Sequence, residues 1–275
     1  MTQSPKDAGR QIAGGISYRA SIAGDTDGLP VICLHGIGGD DTSFADQLDN
    51  LGARSVYAWN MPGYGGSAVM ESMDFAALSD ALIAFMDALG IARAHLAGQS
   101  IGGMIAQETA IRYPDRIASL VLIATVPAFG GRDDSFKQAF LHARLAPLEA
   151  GGDMRDVAND AIPAITGPNC DAAMRASAIE AMAAIDQHAY RQVLATLVTF
   201  NRRDDQHLLT LPCCLIAGSL DDNAPARVME KMAGNLPDAS FHIIDHAGHL
   251  VNTESPNQVN AIATAFLDKT DHFLA

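Results

Sequence analysis

The chain has 275 residues, 48% of them hydrophobic and 18% charged, which is typical of a soluble globular protein with a sizeable core. Its 18 basic and 32 acidic residues give a formal charge of −14, which argues against nucleic acid as a partner. No apolar run approaches the roughly 20 residues that cross a bilayer, so we expect a soluble cytoplasmic protein without a membrane partner.

Short apolar runs alternate with segments of helical period along most of the chain. Residues 14–22 alternate in polarity, which predicts an antiparallel edge strand. Buried strands are then expected at 31–36, 55–60, 94–98, 119–125, 213–218 and 241–245. Helices are expected at 75–89, 101–113, 226–236 and 257–268, the first capped by Asp74 and stopped at Gly90. This alternation predicts an α/β fold with a mostly parallel, doubly wound sheet.

The alternation stops between residues 126 and 209, where no strand pattern occurs. Helical patterns are present at 135–148 and 173–186. A structureless loop of this length is implausible in a compact domain. We therefore predict a helical cap at 126–209, inserted into a core formed by residues 1–125 and 210–275.

One serine lies between two glycines in "LAGQSIGG" (96–103), after a predicted strand and before a predicted helix. A sharp strand-to-helix turn needs positive φ at its centre and almost no side chain two residues away, which Gly98 and Gly102 provide. The turn would lift Ser100 Oγ clear of the sheet, at a helix N-terminus that favours negative charge. A helix-capping turn without chemistry has the same pattern, so this stretch alone decides nothing.

A serine nucleophile needs a base to take its proton and an acid to orient that base. Asp221 and Asp222 follow the strand at 213–218, and His249 follows the last strand. Open α/β sheets build their sites at the C-terminal ends of strands, and the order serine, aspartate, histidine is the one they use. The three positions together predict a nucleophile, a base and an acid.

Five motifs occur in a characteristic order: "HGIGG" (35–39), "WNMPGYGGS" (59–67), "GQSIGG" (98–103), "GSLDDNAP" (218–225) and "HAGHLVNTESP" (246–256). On these motifs the chain resembles the α/β-hydrolase superfamily over nearly its whole length outside the cap. The residues of these motifs are most similar to those of small bacterial esterases and hydrolases of the 3-oxoadipate enol-lactonase type. The resemblance implies Ser100 as nucleophile, His249 as base and Asp221, rather than Asp222, as the orienting acid.

Three further polar residues in these motifs have structural interpretations. His246 occupies a variable place before the Ala-Gly-His turn, and we predict that it is structural. By resemblance, His35 braces the first loop through hydrogen bonds. Asn60 stands where many relatives carry aspartate, and we expect this departure to change the bracing of the loop without changing the chemistry.

Attack on a carbonyl carbon creates an oxyanion, which requires preorganised N–H donors. The amide of Ile101 follows from its position directly after the serine, at the start of a helix. The resemblance implies the amide of Ile37, in the loop after the strand at 31–36, as the second donor. Glycines at 36, 38 and 39 allow this loop to approach the site closely.

Apolar side chains of the cap are candidates for the substrate pocket. These are Phe129, Phe136, Phe140, Leu141 and Leu145, for which helix packing is the alternative, and Leu250 of the core joins them. The cap also holds eight basic residues: Arg132, Lys137, Arg144, Arg155, Arg175, Arg191, Arg202 and Arg203. One or two of them would bind a substrate carboxylate if they pointed inward, and the alternative is a solvated face.

The sequence predicts a serine hydrolase that cleaves a small-molecule carboxylic ester or enol-lactone through an acyl-enzyme, with no metal or organic cofactor. Carbon–carbon bond hydrolysis of ring-fission diketones is one alternative. Hydrolases of that branch commonly carry Trp after the catalytic histidine, where this chain has Leu250. The non-enzymatic alternative is a small-molecule receptor that retains the three residues. The sequence is compatible with a monomer or a homo-oligomer.

Overall fold

The computed structural model describes residues 9–24, 26, 28–130 and 134–274. The strands of these ranges form a single eight-stranded sheet in the order β1-β2-β4-β3-β5-β6-β7-β8. The pairs β1–β2 and β2–β4 are antiparallel, and every other pair is parallel. The strands are β1 Gln11–Ala13, β2 Ile16–Ser21, β3 Val31–Leu34, β4 Val56–Trp59, β5 Ala94–Gln99, β6 Ile117–Ile123, β7 Cys213–Gly218 and β8 Ala239–Ile244.

Helices cover both faces of the sheet, as the strand–helix alternation predicts. The helices are α1 Ala45–Leu48, α2 Phe75–Ala88, α3 Ile101–Arg112, α4 Ser135–Glu149, α5 Met154–Ile165, α6 Ala172–Ala183, α7 Gln187–Leu197, α8 Ala226–Asn235, α9 Val251–Glu254 and α10 Pro256–Leu274. Helix α2 has the predicted ends, because the Asp74 carboxylate accepts the Ala77 N–H at 2.7 Å and Gly90 follows with φ +70°. No helix in the described ranges is long and apolar enough to cross a membrane.

Two apolar clusters pack against the two faces of the sheet. Ile32 and Leu34 of β3 belong to one cluster, while Val31 and Cys33 belong to the other. Every residue of the central strand β6, "IASLVLI", is buried. A continuous apolar run of this kind is what a parallel strand covered on both faces requires.

The prediction for residues 14–22 is right about pairing and wrong about position. Strand β2 pairs antiparallel with β4, but β1 lies outside it, so β2 is not the edge. Gly14 and Gly15, both with positive φ, connect the two strands. The three-residue β1 was missed because so short a strand has almost no periodic signal.

The segment between β6 and β7 contains helices α4 to α7. Helices α4 and α6 match the predicted patterns, whereas α5 and α7 were not predicted as separate helices. Since β6 and β7 are direct neighbours in the sheet, the segment begins and ends at adjacent points. An isolated bridge between Ala128 and Asn201 joins its two ends. The first eight residues of the predicted core and Arg132 of the predicted cap lie outside the described residues.

Candidate active site

Ser100 occupies the sharp turn between β5 and α3. Its backbone has φ 55° and ψ −122°, a conformation that side-chain-bearing residues rarely adopt. The close approach depends on the flanking glycines. A Cβ on Gly98 would collide with the backbone of Gly102, and a Cβ on Gly102 would collide with the Leu34 carbonyl. The turn therefore requires glycine at both positions.

The structure brings the three predicted side chains together at the C-terminal ends of β5, β7 and β8. Ser100 Oγ lies 3.0 Å from His249 Nε2, and His249 Nδ1 lies 2.8 Å from Asp221 Oδ2. The Asp221 side chain is fully buried and that of His249 is 11% exposed. A buried carboxylate bonded to Nδ1 leaves Nε2 free to accept the Ser100 proton.

Asp221 is held as a carboxylate by its surroundings. Burial raises its pKa, but the adjacent His249 and the amides of Asn223 and Ala224 outweigh burial, so the net pKa lies below the ordinary value. The two amides donate to Oδ1 at 2.8 and 3.0 Å. The neighbouring Asp222 is exposed.

The loop that carries His249 is fixed by a buried carboxylate that the sequence analysis did not single out. Glu254 accepts the N–H of Gly248 at 2.9 Å, of Leu250 at 3.0 Å and of Gly167, in the inserted segment, at 2.8 Å. Glu254 is only 4% exposed. Glu254 lies within the motif at 246–256, five residues after His249. This position in the motif is the sequence signal that could have identified it.

Two more hydrogen bonds hold the His249 backbone. Its N–H donates to the Ile165 carbonyl at 2.7 Å, and its carbonyl accepts from Gln99 Nε2 at 2.9 Å. His246 has φ 60°, and its N–H donates to Ser219 Oγ at 3.0 Å. His246 therefore shapes the turn, whereas His249 faces Ser100.

The loop after β3 is braced by His35 and Tyr64. His35 Nδ1–H donates to the Gly36 carbonyl at 2.7 Å and Nε2 accepts the Met61 N–H at 2.9 Å, so the imidazole is neutral. Burial lowers its pKa, in keeping with that form. The Tyr64 hydroxyl donates to the Ile37 carbonyl at 3.1 Å and thereby fixes the orientation of the loop.

Asn60 connects this loop to the antiparallel side of the sheet. Its Oδ1 accepts the Asp41 N–H at 2.9 Å, and its Nδ2 donates to Asp41 Oδ2 and to Ser17 Oγ, each at 3.0 Å. A carboxylate at position 60 could not donate to Asp41. Asp41 in turn pairs with Arg10 at 2.7 Å.

Ser100 and His249 line a pocket with about 1170 Å³ of empty space, a volume that includes the solvent at its open mouth. Ile37 lines it, together with the four predicted side chains Phe129, Phe136, Phe140 and Leu250. Ile101 begins α3, where the amides of the first turn have no partner within the helix. Leu141 and Leu145 pack against the apolar core and are not among the pocket-lining residues.

A second serine, histidine and aspartate meet at the opposite ends of the strands. His95 contacts Ser119 Oγ at 2.7 Å through Nδ1 and Asp271 at 2.9 Å through Nε2. His95 and Ser119 are completely buried and neither lines the pocket. This set ties the C-terminal helix to the sheet.

Residues 31–262 match the sequence profile of the family described as "Alpha/beta hydrolase family". The chain belongs to the alpha/beta hydrolase family. Within the described residues, no group of three or more His, Cys, Asp or Glu side chains is arranged to hold a metal ion.

The relatives of this chain are named for different activities. The chain is 31% identical to the dihydrolipoyllysine-residue acetyltransferase component of the acetoin cleaving system of Pseudomonas putida, over 98% of this chain and 71% of that protein. It is 25% identical to the pimeloyl-[acyl-carrier protein] methyl ester esterase of Aliivibrio salmonicida, over 90% and 95% of the two chains. The solved esterase of Thermogutta terrifontis superposes with a TM-score of 0.85 at 23% identity, covering 96% and 99%. The last similarity shows the fold.

Proposed function

We propose that this hydrolase cleaves a small carboxylic ester or lactone through an acyl-enzyme intermediate on Ser100. The observation that carries the proposal is the hydrogen-bonded series from Ser100 through His249 to Asp221, which opens directly onto the pocket. The curated esterase relative, named for cleavage of a methyl ester, supports an ester as the reacting group.

In the first half of the reaction, His249 Nε2 takes the proton from Ser100 Oγ as the oxygen attacks the carbonyl carbon. The amides of Ile37 and Ile101 stabilise the negative oxygen of the tetrahedral intermediate. Donors of this kind are each worth about 3 kcal/mol of barrier. The intermediate then breaks its bond to the alcohol oxygen, which leaves with the proton from His249.

In the second half, His249 takes a proton from water, and the water oxygen attacks the acyl carbon bound to Ser100. The tetrahedral intermediate releases the carboxylic acid, and Ser100 Oγ recovers its proton from His249. Asp221 stays ionised throughout and stabilises the imidazolium in each half. The helices of residues 126–209, with Phe129, Phe136 and Phe140, act in this proposal as the cap that receives the substrate with Leu250.

The test compares kcat/KM for p-nitrophenyl butyrate between the wild-type protein and Ser100→Ala. We expect a loss of at least about a thousandfold, because removal of the nucleophile leaves only the oxyanion donors and binding. Ser72→Ala, which changes an exposed serine outside the pocket, serves as the matched control and keeps full activity. Full activity in Ser100→Ala would overturn the proposal.

The alternatives give different results in the same series of assays. A carbon–carbon bond hydrolase would turn over a ring-fission dienone much faster than esters and lactones. A receptor would bind its ligand with at most one turnover per molecule. Repeated turnover of an ester or an enol-lactone, with negligible turnover of the dienone, is the expected result.

A further inference from the structure

Among the residues that the structure describes, one permanently charged side chain lines the pocket. Arg144, on α4, is the only Asp, Glu, Lys or Arg among the described residues that line the pocket. Most of the other lining residues are apolar, and Ser100 and His249 lie in the same cavity. A cation in such surroundings interacts more strongly with an anion than it would in water.

Arg144 has no acidic partner among the residues that the structure describes, although the chain carries a formal charge of −14. Two other arginines of the same segment do have acidic partners: Arg155 lies 2.7 Å from Glu180, and Arg202 lies 2.6 Å from Glu108. The guanidinium of Arg144 instead lies over the Phe140 ring, 5.3 Å from its centre. Stacking of this kind holds the group in place and leaves its N–H donors free.

A second unpaired donor lines the same pocket. Tyr190, on the neighbouring helix α7, is completely buried, and its hydroxyl has no hydrogen-bond partner within the described ranges. Arg144 and Tyr190 lie on helices α4 and α7, which contact each other, and both side chains line this pocket. Burial raises the pKa of Tyr190 to about 12, so its hydroxyl remains a donor. Thr125, another polar residue of the pocket, is by contrast paired, because its Oγ1 donates to the Ser100 carbonyl at 2.7 Å.

We propose that Arg144 and Tyr190 form a carboxylate-binding subsite, and that the substrates are esters or lactones carrying a second, ionised carboxylate. The inference rests on the proposed hydrolase function, which it narrows to a substrate class. A guanidinium offers a planar set of donors that fits a carboxylate, and the phenol adds one more. A neutral acyl chain would leave the buried Tyr190 hydroxyl and the half-buried Arg144 guanidinium without an anionic partner, so the site discriminates against it.

The kinetic test uses mono-p-nitrophenyl esters of succinic, glutaric and adipic acids, each compared with the neutral p-nitrophenyl ester of the same chain length. For at least one length, we expect kcat/KM to favour the anionic ester by about 10- to 100-fold, the range that hydrogen bonds to a charged group provide. Arg144→Met removes this preference, Arg144→Lys retains part of it, and Tyr190→Phe reduces it several-fold.

Arg191→Met is the matched control, because it removes a positive charge beside Tyr190 from a residue that does not line the pocket. We expect it to retain the preference for the anionic ester. If both methionine variants lose the preference for the anionic ester equally, the preference comes from the net charge of the protein, and the subsite is overturned. Thermal unfolding of each variant establishes that the folded protein is being compared.

Binding to Ser100→Ala, measured by calorimetry with the anionic and neutral esters, separates the subsite from the chemistry. Tighter binding of the anionic ester that is lost on adding Arg144→Met supports the subsite. If the wild-type protein turns over neither ester, this binding result still supports the subsite, and only the hydrolase proposal is refuted. Turnover of neutral esters without any preference for the anionic series, in kinetics and in binding, would overturn the subsite and leave the hydrolase proposal intact.

Discussion

Glu254 is the residue whose replacement tests most sharply how the His249 loop is held. Glu254→Gln keeps one carbonyl oxygen, which can still accept the N–H groups of Gly167 and Gly248. Its NH₂ group then faces the Leu250 N–H, donor against donor. An unpaired buried donor costs about 1–3 kcal/mol, and each remaining bond weakens by about 1 kcal/mol when the acceptor loses its charge.

The expected loss of unfolding free energy is therefore about 3–5 kcal/mol, a large part of the roughly 5–15 kcal/mol that stabilises a folded protein. Urea denaturation measures it, and Glu230→Gln, an exposed glutamate on α8, is the matched control. In the fraction that remains folded, we expect kcat for an ester to fall by at least about tenfold with little change in KM, because His249 is displaced. A Glu254→Gln protein within about 1 kcal/mol of wild type would refute this reasoning.

Two further predictions concern buried polar groups. Asn60→Asp places a second carboxylate against Asp41, so we expect a loss of about 2–4 kcal/mol near neutral pH. Like-charge repulsion raises the pKa of the new carboxyl, so the folded state binds more protons and the loss shrinks towards about pH 5. Urea denaturation at several pH values measures this loss, and a pH-independent loss would contradict it. Burial lowers the pKa of His95, so the unfolded state binds its proton first. Unfolding free energy of the wild type should therefore decrease as pH falls below about 6.5, and the decrease should be smaller in His95→Gln.

Local sequence patterns predicted most of the sheet because each strand is a short apolar run with clear boundaries. The run "CCLIAG" coincides with β7, and the capped helix at 75–89 differs from α2 by one residue. The positions of Ser100, His249 and the pair Asp221 and Asp222 followed from the same local logic, because each comes within five residues after the end of a strand. The choice of Asp221 over Asp222 came from the family resemblance.

Contacts between distant residues could not be predicted in this way. Glu254 bonds to Gly167, 87 residues earlier, and no periodicity relates the two positions. The presence of Arg144 and Tyr190 in one pocket depends on how α4 packs beside α7, and α7 was itself not predicted as a separate helix. The sequence raised an inward-pointing arginine as one option. The packing of the helices places Arg144 on the pocket, alone among the seven of these basic residues that the structure describes.

Covalent trapping tests the central claim most directly, because it reports on the serine itself. A fluorophosphonate reacts with an activated serine, and peptide mass spectrometry locates the adduct. We predict one adduct, on Ser100, that disappears in Ser100→Ala and is strongly reduced in His249→Ala, with none on Ser119 despite its contact with His95. An unlabelled Ser100, or an adduct on Ser119, would contradict the account.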